Sequence, residues 1–123
     1  MSSQQTYMPD KLKYVEIKPR LREDLEDVLS GSDENEICNA LYSAAQHEPD
    51  WRWSQQQCLK MLHHESLLVR SAALIALGEI AVFRGRLDLE TVLPEIHRVA
   101  ADPALAPFAE DALDDIRAAK LLQ

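Results

Sequence analysis

From Glu65 to Ile80 apolar positions recur with a helical period, and part of the pattern returns between Leu105 and Ile116. Superposing Ile80 on Ile116 gives an offset of 36 residues (116 − 80) and pairs Val69 with Leu105, Ala73 with Ala109, Ala76 with Ala112 and Leu77 with Leu113. These positions follow the i, i+4, i+7, i+8 spacing of one helix face. Two helices with the same small, apolar face, recurring at this offset, predict stacked helical hairpins in a short solenoid.

The rest of the chain divides in the same way. Pro19 suits a helix start, and Leu21, Leu25, Val28 and Leu29 continue one face until Ser30-Gly31. Ser32 or Asp33 caps a second helix carrying Ile37, Leu41, Ala44 and Ala45, which Pro49 closes. Asp50 caps a third, from Trp51 to His63, with Cys58, Leu59, Met61 and Leu62 turned inward. Ser66 caps a fourth that runs to Phe83 and stops at Arg84-Gly85. Asp88 caps a fifth with Leu89, Val92, Leu93, Ile96 and Val99 apolar, and Asp102-Pro103 separates it from a sixth between Pro107 and Leu121. The expected fold is all-α: six helices in three antiparallel hairpins, with the fourth and sixth helices parallel neighbours. Residues 18–123 make this helical domain. Residues 1–17 read as an N-terminal extension, partly disordered before Met8, with Tyr14, Val15 and Ile17 as a short extended segment or a cap over the first helix.

Two stretches resemble the HEAT-repeat family. One is Val92-Leu93-Pro94-Glu95-Ile96-His97-Arg98-Val99, then Asp102-Pro103, then Leu105, Ala109, Ala112 and Leu113. The other is Cys58 to Leu62 followed by Val69-Arg70-Ser71-Ala72-Ala73 and Ala76-Leu77-Gly78. The resemblance covers residues 50–117 well and 19–48 weakly, and it implies a HEAT-like α-solenoid. Ala106 stands where the last unit's arginine would be. Arg70 follows the apolar Val69 in the first turn of its helix, where a buried guanidinium needs a partner. By the repeat geometry that partner is expected to be Asp102, a structural pair.

Charge narrows the function. With 21 acidic side chains against 13 basic ones the chain carries a net charge of −8, which repels nucleic acid and anionic membranes. A macromolecular partner is therefore expected to be a basic protein. The first residues lack the basic start and apolar centre of a signal peptide, so the expected compartment is the cytoplasm. Cys38 and Cys58 fall in helical patterns among apolar neighbours and read as reduced core thiols.

Catalytic chemistry finds little support. His47-Glu48 and His63-His64-Glu65 do not make the zinc-binding His-Glu-x-x-His face. HEAT-like iron hydroxylases place His-Glu pairs on the second helices of successive repeats, where this chain has Ser71-Ala72. Three scattered glycines build no phosphate loop. The expectation is a non-enzyme with no metal and no cofactor.

What remains is surface. The second helices of a HEAT-like stack line its concave side, so their non-core residues form the natural binding strip. Leu74, Ile75, Gly78 and Glu79 fall there, as do Glu110, Asp111, Asp114 and Asp115, with Tyr42, Ser43 and Gln46 beside them. Carboxylates one helical turn apart repel by a few tenths of a kcal/mol, which points to use. Trp51 and Trp53 diverge by about 200° on one helix; one is expected in the core and the other as an exposed anchor. The expected partner-binding set is Tyr42, Trp51, Trp53, Glu79, Glu110, Asp111, Asp114 and Asp115. Small solitary HEAT-like proteins of this kind resemble the immunity proteins of bacterial toxin systems. That resemblance implies an acidic inhibitor of a basic, nuclease-type toxin; the alternative is a scaffold for another cytoplasmic protein.

Overall fold

The computed structural model describes residues 16–121. Six helices follow one another: α1 (Arg22–Leu29), α2 (Glu34–His47), α3 (Trp51–Met61), α4 (Leu67–Arg84), α5 (Leu89–Val99) and α6 (Ala106–Ala118). No strand occurs among the described residues, so the all-α expectation holds.

Three of the six starts follow from side-chain capping. Asp33 accepts from the Glu36 N–H, Asp50 from the Trp53 N–H and Ser66 from the Val69 N–H, each serving a first-turn donor that has no partner within its helix. Asp88 stands at the expected cap of α5, but its carboxylate accepts the Thr91 hydroxyl at 2.8 Å and no backbone N–H. Gly85 ends α4 with φ 66°, a left-handed conformation that costs glycine no Cβ clash.

Contacts at the helix ends fix the directions. Ser66 Oγ donates to Glu34 at 2.9 Å and Cys38 Sγ lies 3.8 Å from the Leu68 carbonyl, so the first turns of α2 and α4 meet. Gln46 and Glu79 meet near the opposite ends, and the two helices therefore run parallel. Arg70 and Leu105 border one depression at the starts of α4 and α6, while Asp115 lies against Gly78 further along. The fourth and sixth helices are thus parallel neighbours. In the other layer, Gln55 Oε1 accepts the Asp88 N–H at 2.8 Å, and the His63 and Arg98 side chains meet at 3.3 Å, which sets α3 and α5 parallel. Arg84 donates to the Glu48 carbonyl at 3.0 Å, folding the end of α4 back to the start of α3. Two rows result, α2–α4–α6 and α1–α3–α5.

The first row is close because its facing side chains are small. Ala40, Ala44 and Ala45 of α2, Ala72, Ala73, Ala76 and Ala81 of α4, and Ala109 and Ala112 of α6 are all buried, with Leu41, Leu74, Leu77, Ile80 and Ile116 filling the space between. α4 packs on α2, α3 and α6. It is consequently apolar around most of its circumference, as a helix enclosed on several sides must be.

An ion cluster joins the first two hairpins. The Glu48 carboxylate, 9% exposed, accepts from Arg22 at 2.8 Å and from the Asp50 N–H at 3.2 Å. The Arg22 guanidinium lies 4.2 Å above the Trp53 ring. Ahead of α1, Ser43 donates to the Lys18 carbonyl at 2.8 Å and His47 Nε2 sits 2.7 Å from the Ile17 carbonyl. The backbone at Ile17 and Lys18 therefore lies along α2, which offers the polar side chains. Tyr14, Val15 and the expected disorder before Met8 lie outside the described residues.

Two outcomes test this packing. Ala73→Leu should overpack the fully buried α4 face and cost roughly 1–3 kcal/mol, read as a lower denaturation midpoint; an unchanged midpoint would mean slack in the row. Glu48→Ala should lower the midpoint too, because it takes the nearest carboxylate from Arg22 and the acceptor from the Asp50 N–H. An exposed carboxylate control such as Glu23→Ala should cost far less.

Candidate functional site

Parallel packing of α2, α4 and α6 sets Tyr42, Glu79 and Asp115 side by side, one from each helix. All three are half-buried. Burial pushes the Tyr42 phenol up to about 12, with the Cys38 thiol and Glu79 adding to the shift. It also pushes the Glu79 carboxyl above the ordinary glutamate range, opposed by the neighbouring Gln46 amide and reinforced by Asp115. Asp115 is raised by burial and then by Asp111 and Asp114. Each group resists negative charge for the same two reasons, desolvation and like charge. Glu79 Oε1 is buried and has no hydrogen-bond partner.

Gly78 explains how Asp115 comes so close. A Cβ at Gly78 would stand 2.5 Å from Asp115 Oδ2, so glycine makes the room in which that carboxylate lies across the α4–α6 contact.

The strip residues divide by helix face. Asp111 and Asp115 are one turn apart on the side of α6 that Gly78 meets. Glu110, Asp111 and Asp114 are all exposed, and Glu110 and Asp114 turn furthest outward by the same periodicity. Asp114 also accepts from Arg117 at 2.9 Å, so the four carboxylates of α6 are not an uncompensated quartet: the cation stands three residues on. Leu74, expected on the strip, is in the core, and the buried Ser43 is occupied by the Lys18 carbonyl.

The tryptophans do not divide into one core ring and one exposed ring. Trp51 and Trp53 are both half-buried against the core in the α1–α3–α5 row. Arg52 covers Trp51 at 4.6 Å and Arg22 covers Trp53 at 4.2 Å. Arginine stems and guanidinium faces shield both rings. Cys38 and Cys58 are free, buried thiols. Burial, with Glu79 adding, pushes the Cys58 thiol far up, and burial raises Cys38 as well.

Arg70 and Asp102 do not pair. Arg70 donates to the carbonyls of His64 and Glu65, at 2.8 and 3.2 Å, and Asp102 accepts the Ala104 N–H at 2.9 Å. Each side chain closes its own inter-helix turn because backbone partners lie nearer than the other turn. Both still border an open depression of about 450 Å³ with His63, His64 and Arg98. Sequence reasoning missed Val82 and Phe83, which are 54% and 55% exposed at the end of α4. The available signal was their i+3 and i+4 spacing from Glu79, a residue already placed on the strip. No group of three or more His, Cys, Asp or Glu among the described residues is placed to hold a metal ion.

The geometry defines a two-row helical stack with a partly buried acidic row. A solved structure shares that architecture: one chain of the "crystal structure of CDI complex from Cupriavidus taiwanensis LMG 19424" is 28% identical to this chain, with a TM-score of 0.77. The match covers 85% of this chain and 94% of that one. No family model matches the chain, and no curated protein does so significantly.

The raised carboxyl of Glu79 sets a sign for pH dependence. A group whose folded value exceeds its unfolded one favours the folded state when protonated, and that contribution is lost as pH rises through the folded value. Glu79→Gln should therefore stabilise the free protein at pH 7, by roughly 1 kcal/mol. The gain should fade on acidification and vanish below the ordinary value of 4.5. Denaturant titrations at pH 7 and pH 4 check this; destabilisation at pH 7 would mean that the carboxylate is well solvated.

Proposed function

We propose that the chain is a non-enzymatic, HEAT-like immunity protein that binds and blocks a basic toxin. The observation that carries this reading is the structural likeness to a chain of a CDI complex, over 85% of this chain. CDI denotes contact-dependent inhibition, in which a toxin is held by an immunity protein. Charge supplies the partner's chemistry: a net charge of −8 and the row Tyr42–Glu79–Asp115 favour a cationic surface. A nuclease fits that description, because an active site that holds nucleic acid is itself cationic. Asp111 joins the row at close range, while Glu110 and Asp114 lie further out and steer the approach. Trp51 and Trp53 belong to packing in this reading, and Arg70 and Asp102 to their turns. A scaffold for some other cytoplasmic protein remains the second reading, separated by the experiment below.

The test pairs the chain with the product of the adjoining reading frame. Co-expression should rescue cells from that product's toxicity; failure to rescue or to bind would leave the scaffold reading. In the complex, Asp111→Lys with Asp115→Lys should slow association about tenfold at low salt and flatten its salt dependence, while circular dichroism stays helical. Unchanged association kinetics would move the interface off α6.

A further inference from the structure

We infer that Val82 and Phe83, at the C-terminal end of α4, are the apolar anchor of the acidic row and dock a protein segment that sets an apolar side chain beside an arginine or lysine. This rests on the charge reading above and deepens it by naming what holds the partner once charge has brought it in.

The argument begins with helix geometry. Val82 and Phe83 follow Glu79 at i+3 and i+4, so they flank it on one face. From Glu79, the member of the row that α4 contributes, the surface therefore passes along that helix to an apolar end. Both residues are more than half exposed, at 54% and 55%, although α4 is otherwise buried along most of its length. Among the described residues nothing lies within 4 Å of a Cβ built at Gly85, in the turn that follows. Aromatic side chains beside desolvated charge are the composition of binding hot spots, whereas exposed acidic residues alone contribute mainly to encounter.

Charge also selects the occupant. A second copy docked by symmetry on this face would bring Glu79 and Asp115 against the same carboxylates, between two chains that each carry −8. An anionic membrane is repelled for the same reason. A cationic segment meets the buried, unpartnered Glu79 Oε1 with a donor and covers the two apolar side chains with its own.

Two synthetic peptides of equal positive charge serve as probes, one placing arginine beside leucine and tryptophan, the other arginine beside serine. At low salt the apolar peptide should bind the intact chain about tenfold more tightly, with amide NMR shifts centred on the last turns of α4. Val82→Ser with Phe83→Ser should bring the two peptides to equal affinity, leaving the serine peptide's binding and the helical spectrum unchanged. If the apolar peptide keeps its advantage in that variant, or its shifts fall elsewhere, the anchor is wrong while the charge reading stands. If neither peptide binds the intact chain, the charge reading fails with it. Concentration-dependent dimerisation that the double variant abolishes would assign the face to a second copy and overturn the inference.

Discussion

The close approach of α4 to both α2 and α6 governs the rest of the molecule. An interior helix can touch two parallel neighbours only where the facing side chains are small, and Ala44, Ala72, Ala73, Ala76, Ala109 and Ala112 meet that condition. Close packing leaves little tolerance for an added methylene. Polar groups survive in the row only when satisfied locally, as Ser71 is by donating to the Leu68 carbonyl at 2.8 Å, or when displaced to its margin, as Glu79 is. The spacing that buries the alanines therefore also brings Tyr42, Glu79 and Asp115 together.

That juxtaposition has an electrostatic cost in the free protein. Desolvation and mutual repulsion act on Glu79 and Asp115 in the same direction, and neither forms an ion pair among the described residues. The opposite side of the stack is arranged differently. There the partly buried acid, Glu48, is matched by Arg22, while Glu95 is held below the ordinary range by Arg98 and His63. Compensated carboxylates stabilise the joints between hairpins, whereas Glu79 of α4 and Asp115 of α6 stand together without a cation. Perturbed groups without an internal partner are characteristic of surfaces that meet a ligand.

Fold and site were legible to different depths for a physical reason. Helical periodicity and capping are local, so Asp33, Asp50, Ser66 and Gly85 could be placed from their neighbours in sequence. The 36-residue offset carried the parallel pairing of α4 and α6, because equivalent faces in a stack meet equivalent neighbours. Side-chain partners across turns were not legible. Arg70 had two candidate acceptors, and the nearby carbonyls of His64 and Glu65 prevailed over Asp102, whose own turn supplied a donor. The tryptophans were misjudged because angular divergence says which faces two rings occupy, not what covers them; Arg22 comes from a helix 31 residues away (53 − 22). Tyr42, Glu79 and Asp115 were expected on one strip and do lie near one another, but their burial and coupling depend on interhelical distance. Asp114 shows the reverse failure: its partner Arg117 was in plain view at i+3.

Charge and apolar surface on α4 divide the work of binding by range. Carboxylates act over a Debye length of roughly 8 Å at physiological ionic strength and influence how often a cationic partner arrives. Val82 and Phe83 act only at contact, where excluded water and close packing govern how long it stays. Glu79 links the two regimes, since its half-buried carboxylate is far enough from water for a donor to be worth more there than on Glu110 or Asp114. A cation reaching it would replace hydration that burial has already removed, so the partner gains an interaction without displacing much bound water. The same residue that weakens the free fold is thus the one from which a cationic partner gains most.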